Sequence, residues 1–313
     1  GSQQWAAVYS GNQPAELYGL KQQLNAGLSA GLCGFAVWSG DMAGYEGKPN
    51  VETYIRGVEF AAFQPLMRSH GTKTRCPWDF GKEAETVYLK YYWLRENLIE
   101  MLYSAAISSN HRGLPMMKAM ALAFPEEKDY LNNGEQYLFC DTILVAPVLE
   151  EKAQTKKVCF PKGTWYELWS GNEVLGSCER EVPVSLKDCP AYLKSGIVLP
   201  VIMNEKMKWA VPFSEQNQTK VIVITPPNMD DEYRYYAEED DKYVFKCVKE
   251  DERVFTIYSL KDIFINKLLI YGNVHEIEVD GKKEEFSIVY ENQTMTALRL
   301  KSDRWNKLTI TCK

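Results

Sequence analysis

Histidine is scarce in this chain, and the few present are scattered. His70, His111 and His275 are the only three, and none stands at a zinc-ligand spacing from a cysteine, so no metal site and no cofactor are expected. The eight cysteines (33, 76, 140, 159, 178, 189, 247 and 312) include no CxxC pair. Spread over 313 residues, they read as reduced thiols rather than as a disulfide framework. An excess of positive charge is also missing: the formal net charge is −6, which argues against a nucleic-acid or anionic-membrane partner. No apolar run is long enough to span a bilayer. No signal peptide is visible, which with the thiols favours the cytoplasm, although sequence upstream of Gly1 would hide one and leaves secretion open. Internal repeats and low-complexity tracts are absent as well. What remains is a chain of ordinary globular composition, 45% hydrophobic and 25% charged, long enough for two or three domains with cores of their own.

The first third alternates strand-like and helix-like stretches. Trp5 to Tyr9 is a short apolar run that ends in Ser10-Gly11-Asn12. Leu17, Leu20, Leu24 and Leu28 then recur at helical spacing. Residues 32–38 (LCGFAVW) form a continuous apolar run, as expected of a strand buried on both faces. Val51 to Phe60 predicts a second helix, Phe63 to Met67 a short third strand, and Glu83 to Ser109 one long helix with Val87, Tyr91, Leu94, Leu98 and Met101 on its apolar face. Strand followed by helix, three times, is the pattern of a parallel α/β sheet or barrel. Beyond Leu114 strand-like runs follow one another with short turns, and Asp280-Gly281 is a hairpin signal, so this half reads as all-β sandwich. A polar, weakly patterned stretch at Met203–Asn217 suggests a boundary within it. Three strand-helix units cannot close a barrel of about eight. The first third is therefore expected to be the end of a larger domain.

In a barrel of this kind function sits on the loops after the strands. Three such loops are legible: Tyr9-Ser10-Gly11-Asn12-Gln13, Trp38-Ser39-Gly40-Asp41-Met42-Ala43-Gly44-Tyr45, and Pro65-Leu66-Met67-Arg68-Ser69-His70-Gly71. Each sets polar groups and an aromatic or imidazole ring at the mouth of the fold, which suits a sugar pocket. The three loops resemble motifs of glycoside hydrolase family 31, W-x-G-D-N/Q, G-x-D-I-G-G-F and P-x-x-R-x-H. Residues 136–148 (QYLFCDTILVAPV), 161–171 (PKGTWYELWSG) and 191–200 (AYLKSGIVLP) continue the resemblance, which covers about residues 1–200.

That resemblance implies an α/β plus all-β fold: the C-terminal part of a (β/α)8 catalytic barrel over residues 1–113, a proximal β-sandwich over 114–203 and a distal β-domain over 204–313. It implies a retaining α-glycosidase, foremost an α-glucosidase working by double displacement on an oligosaccharide or other α-glycoside. By position, Asn12 occupies the general acid/base place where the family has Asp. Tyr9 stands where a pocket Trp is usual, Asp41 is the carboxylate of the second loop, and Tyr45 replaces a Phe beside the ring. His70 would hydrogen-bond sugar hydroxyls, with Arg68 supporting its loop. The nucleophile Asp is expected upstream of Gly1, supplied by the N-terminal part of the same protein; a homo-oligomer is the other partner in view. An amide neither gives nor accepts a proton near neutral pH, so this chain as written is expected to be inactive. Asn12 is read as an engineered Asp→Asn replacement, with a naturally inactive variant as the other origin. A non-catalytic sugar-binding homologue, a transglycosylase, and a relative acting on an α-galactoside, α-N-acetylgalactosaminide, α-xyloside or sulfoquinovoside remain open. Three departures bear on the sugar: Gly57 follows Arg56 where a Trp is usual, Cys140 replaces a Gly, and Lys118-Ala119 replaces Arg-Pro. Set beside these roles, Asn12 alone would serve as a helix cap, Asp41 as a turn residue, and Trp38 as a plain core aromatic.

Overall fold

The computed structural model describes residues 7–130 and 132–313; Trp5 and Ala6 of the first apolar run lie outside the described residues. Val8–Tyr9 (β1) and Trp38–Ser39 (β2) pair in parallel, Val8 opposite Trp38 and Tyr9 opposite Ser39. Between them runs the helix Leu17–Leu32 (α1). Its leucine stripe is the buried face, with Leu20 wholly inside, and Gly27 lies against the indole of Trp38. The N-cap is Glu16, which makes no side-chain cap, so Asn12 does not cap this helix.

The apolar run 32–38 departs from expectation. Leu32 ends α1 and is exposed, Phe35 to Val37 are half-buried, and only Trp38 enters a strand. Its backbone is tied all the same, Ala36 O accepting from Met116 N and Val37 O from Val8 N. Val51–Ala62 (α2) forms as predicted; Asn50 Oδ1 caps it by accepting from Thr53 N at 2.7 Å.

Phe63 to Met67 is not a strand. Two of its carbonyls, Gln64 O and Pro65 O, accept from the Arg95 guanidinium, which also takes Ala62 O at the end of α2. The single long helix expected over 83–109 is two, Lys82–Asn97 (α3) and Ile99–Arg112 (α4). No Gly or Pro marks the break. It falls beside Asn97, a fully buried amide that donates to Ile202 O and accepts from Ala210 N, and so pins the backbone there. The predicted apolar face holds on both pieces: Val87, Tyr91, Leu94, Leu98 and Met101 are all buried.

The described chain divides into two compact units that interleave in sequence. The first holds the chain to Arg95, with Ser108–Pro161 and Ser177–Ala191. It contains β1, β2, α1 and α2, an antiparallel meander of Met117–Ala119, Tyr137–Phe139 and Ile143–Val145, and a ribbon pairing Thr155–Phe160 with Cys178–Pro183. Its apolar centre includes Tyr54, Phe60, Phe63 and Tyr137, all without solvent exposure.

The second unit holds Glu96–Ile107, Lys162–Gly176 and Tyr192–Lys313. Two antiparallel-rich sheets dominate it, a five-stranded one built on Val198–Asn204 and Gln218–Ile224 and a six-stranded one running from Asp231–Glu238 to Lys282–Lys283. Alternate side chains of both sheets, among them Ile222, Phe245, Ile257, Leu268, Leu298 and Ile310, meet in one core. Residues 205–217 connect two strands paired in register from Val198 with Ile224 to Asn204 with Gln218. The hairpin signal is met: Asp280 and Gly281 both take positive φ, at 52° and 79°, and Val279 pairs with Lys282. Its return strand is only Lys282–Lys283, however; Phe286–Glu291 leaves for the other sheet and pairs with Thr296–Leu300.

Candidate active site

Four of the six side chains singled out in sequence form one hydrogen-bonded network in the first unit. β1 delivers Tyr9 and the loop behind it delivers Asn12; Ser10 N donates to Ser39 O at 3.0 Å, which locks that loop to the end of β2. Asp41 lies two residues past β2, and Arg68 reaches it from the third loop. Backbone joins these two as an isolated parallel bridge, with Met42 N donating to Arg68 O at 2.9 Å.

Asp41 is entirely buried. A buried carboxylate needs each oxygen satisfied. Oδ1 accepts from Arg68 Nε at 2.8 Å and Nη2 at 2.5 Å. Oδ2 accepts from the Tyr9 hydroxyl at 2.6 Å. The same guanidinium lies over the Tyr9 ring, 4.3 Å from its centroid. Burial, the bond to Asp41 and the charge of Asp41 together push the Tyr9 phenol well above its ordinary range, so it keeps its proton and serves as a donor.

The Tyr9 oxygen also lies 2.8 Å from Asn12 Oδ1. A phenol carries one proton, and the carboxylate is the stronger acceptor. With its proton given to Asp41, the Tyr9 oxygen is left as an acceptor, which the Asn12 amide can meet by turning its NH2 toward it about χ2. Asn12 is exposed, Tyr9 is 40% exposed, and Asp41 closes the inner end of this chain of bonds.

Tyr45 and His70 stand beside the network as a ring pair, 5.4 Å between centroids at 47°. Tyr45 is half-buried and His70 exposed. The Tyr45 loop is bound to the Asn12 loop, since Tyr45 N donates to Gln13 O at 2.8 Å, and to the His70 loop, since Thr72 N donates to Tyr45 O at 2.9 Å. Trp38, read as a core aromatic, is buried to 1% under Gly27.

Three positioning groups escaped the sequence reading. Gln23, buried on the apolar face of α1, donates to Asp41 O at 3.0 Å. Gln64 Oε1 accepts from Gly40 N at 3.1 Å. Arg75, itself 5% exposed, donates to the carbonyls of Gly44, Tyr45 and Gly47 and clamps the loop that presents Tyr45; burial lowers its pKa. Gln23 had a signal, a polar residue inside a leucine stripe. Gly57 also acquires a reason. A Cβ there would meet the Ala43 backbone nitrogen at 2.5 Å, so the loop carrying Asp41 and Tyr45 rests on α2 where the resembling family places a Trp side chain.

Chemically, the network and the ring pair beside it can bind hydroxyls, through the exposed Asn12 amide and the Tyr9 and His70 edges. It has no group at position 12 that transfers a proton.

The chain matches two family descriptions, the glycosyl hydrolases family 31 TIM-barrel domain over residues 1–105 and the glycosyl hydrolase family 31 C-terminal domain over residues 113–199. It is 33% identical over 218 residues to an isomaltosyltransferase of Sporosarcina globispora, covering 65% of this chain and 20% of that protein. It is 32% identical over 210 residues to an alpha-xylosidase of Saccharolobus solfataricus, covering 64% of this chain and 29% of that one. Among solved structures, the cycloalternan-forming enzyme from Listeria monocytogenes, in complex with a pentasaccharide substrate, superposes with a TM-score of 0.86 at 22% identity, over 97% of this chain and 32% of that one. The chain thus spans between a fifth and three tenths of the length of these curated relatives. Taken with the strand-loop geometry around Asp41, these matches mean that the chain belongs to glycoside hydrolase family 31, of whose catalytic barrel it carries a portion, followed by β-rich C-terminal structure.

Proposed function

We propose that this chain supplies the acid/base side of a pocket for a terminal α-glycoside, foremost an α-glucoside, in a retaining family 31 enzyme, and that Asn12 stands in the place of the general acid/base. The observation that carries this reading is the bond of Tyr9 to both Asn12 and Asp41. It unites two loops in the order and at the strand ends where a barrel presents chemistry. A retaining glycosidase needs two carboxyl groups about 5–5.5 Å apart, one to attack the anomeric carbon and one to protonate the leaving oxygen and then deprotonate water. The second task belongs to position 12, and an amide leaves it undone. The nucleophile comes from another part of the protein. Relatives named as an isomaltosyltransferase and an alpha-xylosidase support action on α-linked saccharides and leave the acceptor, sugar or water, as a matter for product analysis.

The test is Asn12→Asp in the full-length protein, assayed on an α-glucoside with a poor leaving group. Restoring the proton donor is expected to raise hydrolysis about 10²–10⁴-fold. An unchanged rate would remove the assignment of position 12.

One observation favours a second reading, a saccharide-binding homologue without catalysis. Position 12 lies 2.8 Å from a Tyr9 oxygen whose proton goes to Asp41, and an amide can turn its NH2 to that oxygen where an ionised carboxylate has no proton to offer. On this reading the parent binds the saccharide as tightly as the Asn12→Asp variant and the rate stays flat.

A further inference from the structure

The second unit holds a cleft of about 390 Å³ that the Tyr9 network does not use. Its walls come from four connections and one strand end: the loop after Gln218–Ile224, the turn between Asp241–Lys249 and Val254–Ile263, the loop after Lys267–Ile270, the turn after Phe286–Glu291, and the end of Trp305–Cys312, together with residues of Thr164–Glu167 and Glu173–Leu175. The floor is rigid. Tyr166, Phe255 and Tyr271 are nearly or wholly buried, and Tyr271 is fixed twice, its hydroxyl donating to Leu168 O at 2.6 Å and accepting from Trp209 Nε1 at 2.9 Å.

The rim is polar and oddly unpaired. Lys249, Arg253, Glu173 and Glu252 all line the cleft, all are exposed, and none of the four side chains makes a hydrogen bond or ion pair with another described residue. The other charged rim groups are occupied: Lys313 Nζ donates to Glu291 at 3.1 Å, and Asp251 Oδ1 accepts from Arg253 N and Val254 N in its own turn. Two cations and two carboxylates around one cavity, held far enough apart not to pair, offer donors and acceptors in equal number and no net charge. That balance does not select an ion. It suits a ligand whose every polar group both donates and accepts, which is the property of a hydroxyl. Leu175, 62% exposed, and Pro226 add an apolar wall for the C–H face of a ring. The volume lies within the roughly 300–1,000 Å³ of small-molecule sites.

We propose that this cleft is a second binding site, taking a neutral oligosaccharide. The choice of an α-glucan as probe rests on the reading of the Tyr9 loops as an α-glucoside pocket; the site itself does not.

Maltotetraose titrated by calorimetry into the full-length protein tests it, with hydrogen exchange followed at residues 249–255 and 271–273. Two binding events are expected in the parent, with saturating saccharide slowing exchange at both segments. Arg253→Ala combined with Glu173→Ala should remove one event, weakening it at least tenfold, and abolish that slowing, with an unchanged thermal midpoint and an unchanged event at the Tyr9 site. Asp41→Asn should weaken only the other event. The proposal is overturned if the double substitution alters neither the isotherm nor the exchange, or if an anionic saccharide binds there in preference to maltotetraose. If instead Asp41→Asn leaves both events intact, it is the reading of the Tyr9 site that fails.

Discussion

The Tyr9 hydroxyl donates to Oδ2 of Asp41 at 2.6 Å, joining an exposed aromatic at the end of one strand to a fully buried carboxylate beyond the end of its neighbour. Removing that donor leaves a buried oxygen unsatisfied. Tyr9→Phe is expected to lower stability by about 1–3 kcal/mol, read from the denaturant midpoint at constant m-value. Saccharide binding should weaken with it. A midpoint shift indistinguishable from zero would mean that solvent replaces the phenol without cost.

Arg68 balances the same carboxylate from the other side, but its own side chain is 41% exposed, so solvent screens part of the attraction. Arg68→Met should cost about 1–3 kcal/mol. In combination with Asp41→Asn the loss should fall short of the sum of the two single losses by at least about 0.5 kcal/mol, since the second substitution removes the charge that the first leaves unpaired. Strict additivity in a double-mutant cycle would show that the pair does not act as one unit.

In the Asn12→Asp variant the new carboxyl would face the acceptor oxygen of Tyr9, with the charge of Asp41 behind it. Both favour the protonated form, so the group is expected to titrate above the usual carboxylate range and to hold its proton as a general acid. The pH–rate profile should show an alkaline limb that moves to lower pH when Tyr9→Phe is added. A limb that stays in place would separate Tyr9 from the acid.

Glu59, wholly buried on α2, accepts from Arg56 at 3.0 Å; burial pushes its carboxyl up from 4.5 to about 8 despite that partner. The folded-state pKa is the raised one. This group's contribution to stability is therefore fully present below about pH 4.5 and is lost as pH rises toward about 8, because the unfolded chain releases the proton first. Unfolding followed from pH 4 to 9 should show that decline, and Glu59→Gln should flatten it. An equal slope in both proteins would assign the pH dependence to other groups.

Gly57→Ala tests the seating of the Asp41 loop. The added methyl would sit 2.5 Å from Ala43 N, backbone that cannot turn aside. Overpacking of this kind costs about 1–3 kcal/mol and should also weaken saccharide binding through Tyr45. Unchanged thermal unfolding would show that the loop yields.

Much was legible without coordinates because it rests on local periodicity. The leucine stripe of α1, the apolar face of α3 and α4, and the Asp280-Gly281 turn depend on neighbours within a few residues. The three loops were legible for another reason: their polar and aromatic residues follow apolar runs at fixed places in the sequence, although only the first two of those runs end in strands. Phe63 to Met67 was misread because a distant guanidinium, Arg95, takes two carbonyls of an apolar run that composition alone assigns to a strand. The break between α3 and α4 was invisible because it comes from the burial of Asn97 against residues 202 and 210, more than a hundred positions away.

Sequence by itself determined the class of fold, the family and the absence of a titratable group at position 12. The tertiary structure decided which way each polar group faces: that the Tyr9 proton goes to Asp41, that Arg68 neutralises a carboxylate with no exposure, and that Arg75 and Gln23 hold the loops between them. Hydrogen bonds are directional and depend on atoms brought together by folding, so their partners follow from packing. The periodicities that build helices and strands are written along the chain.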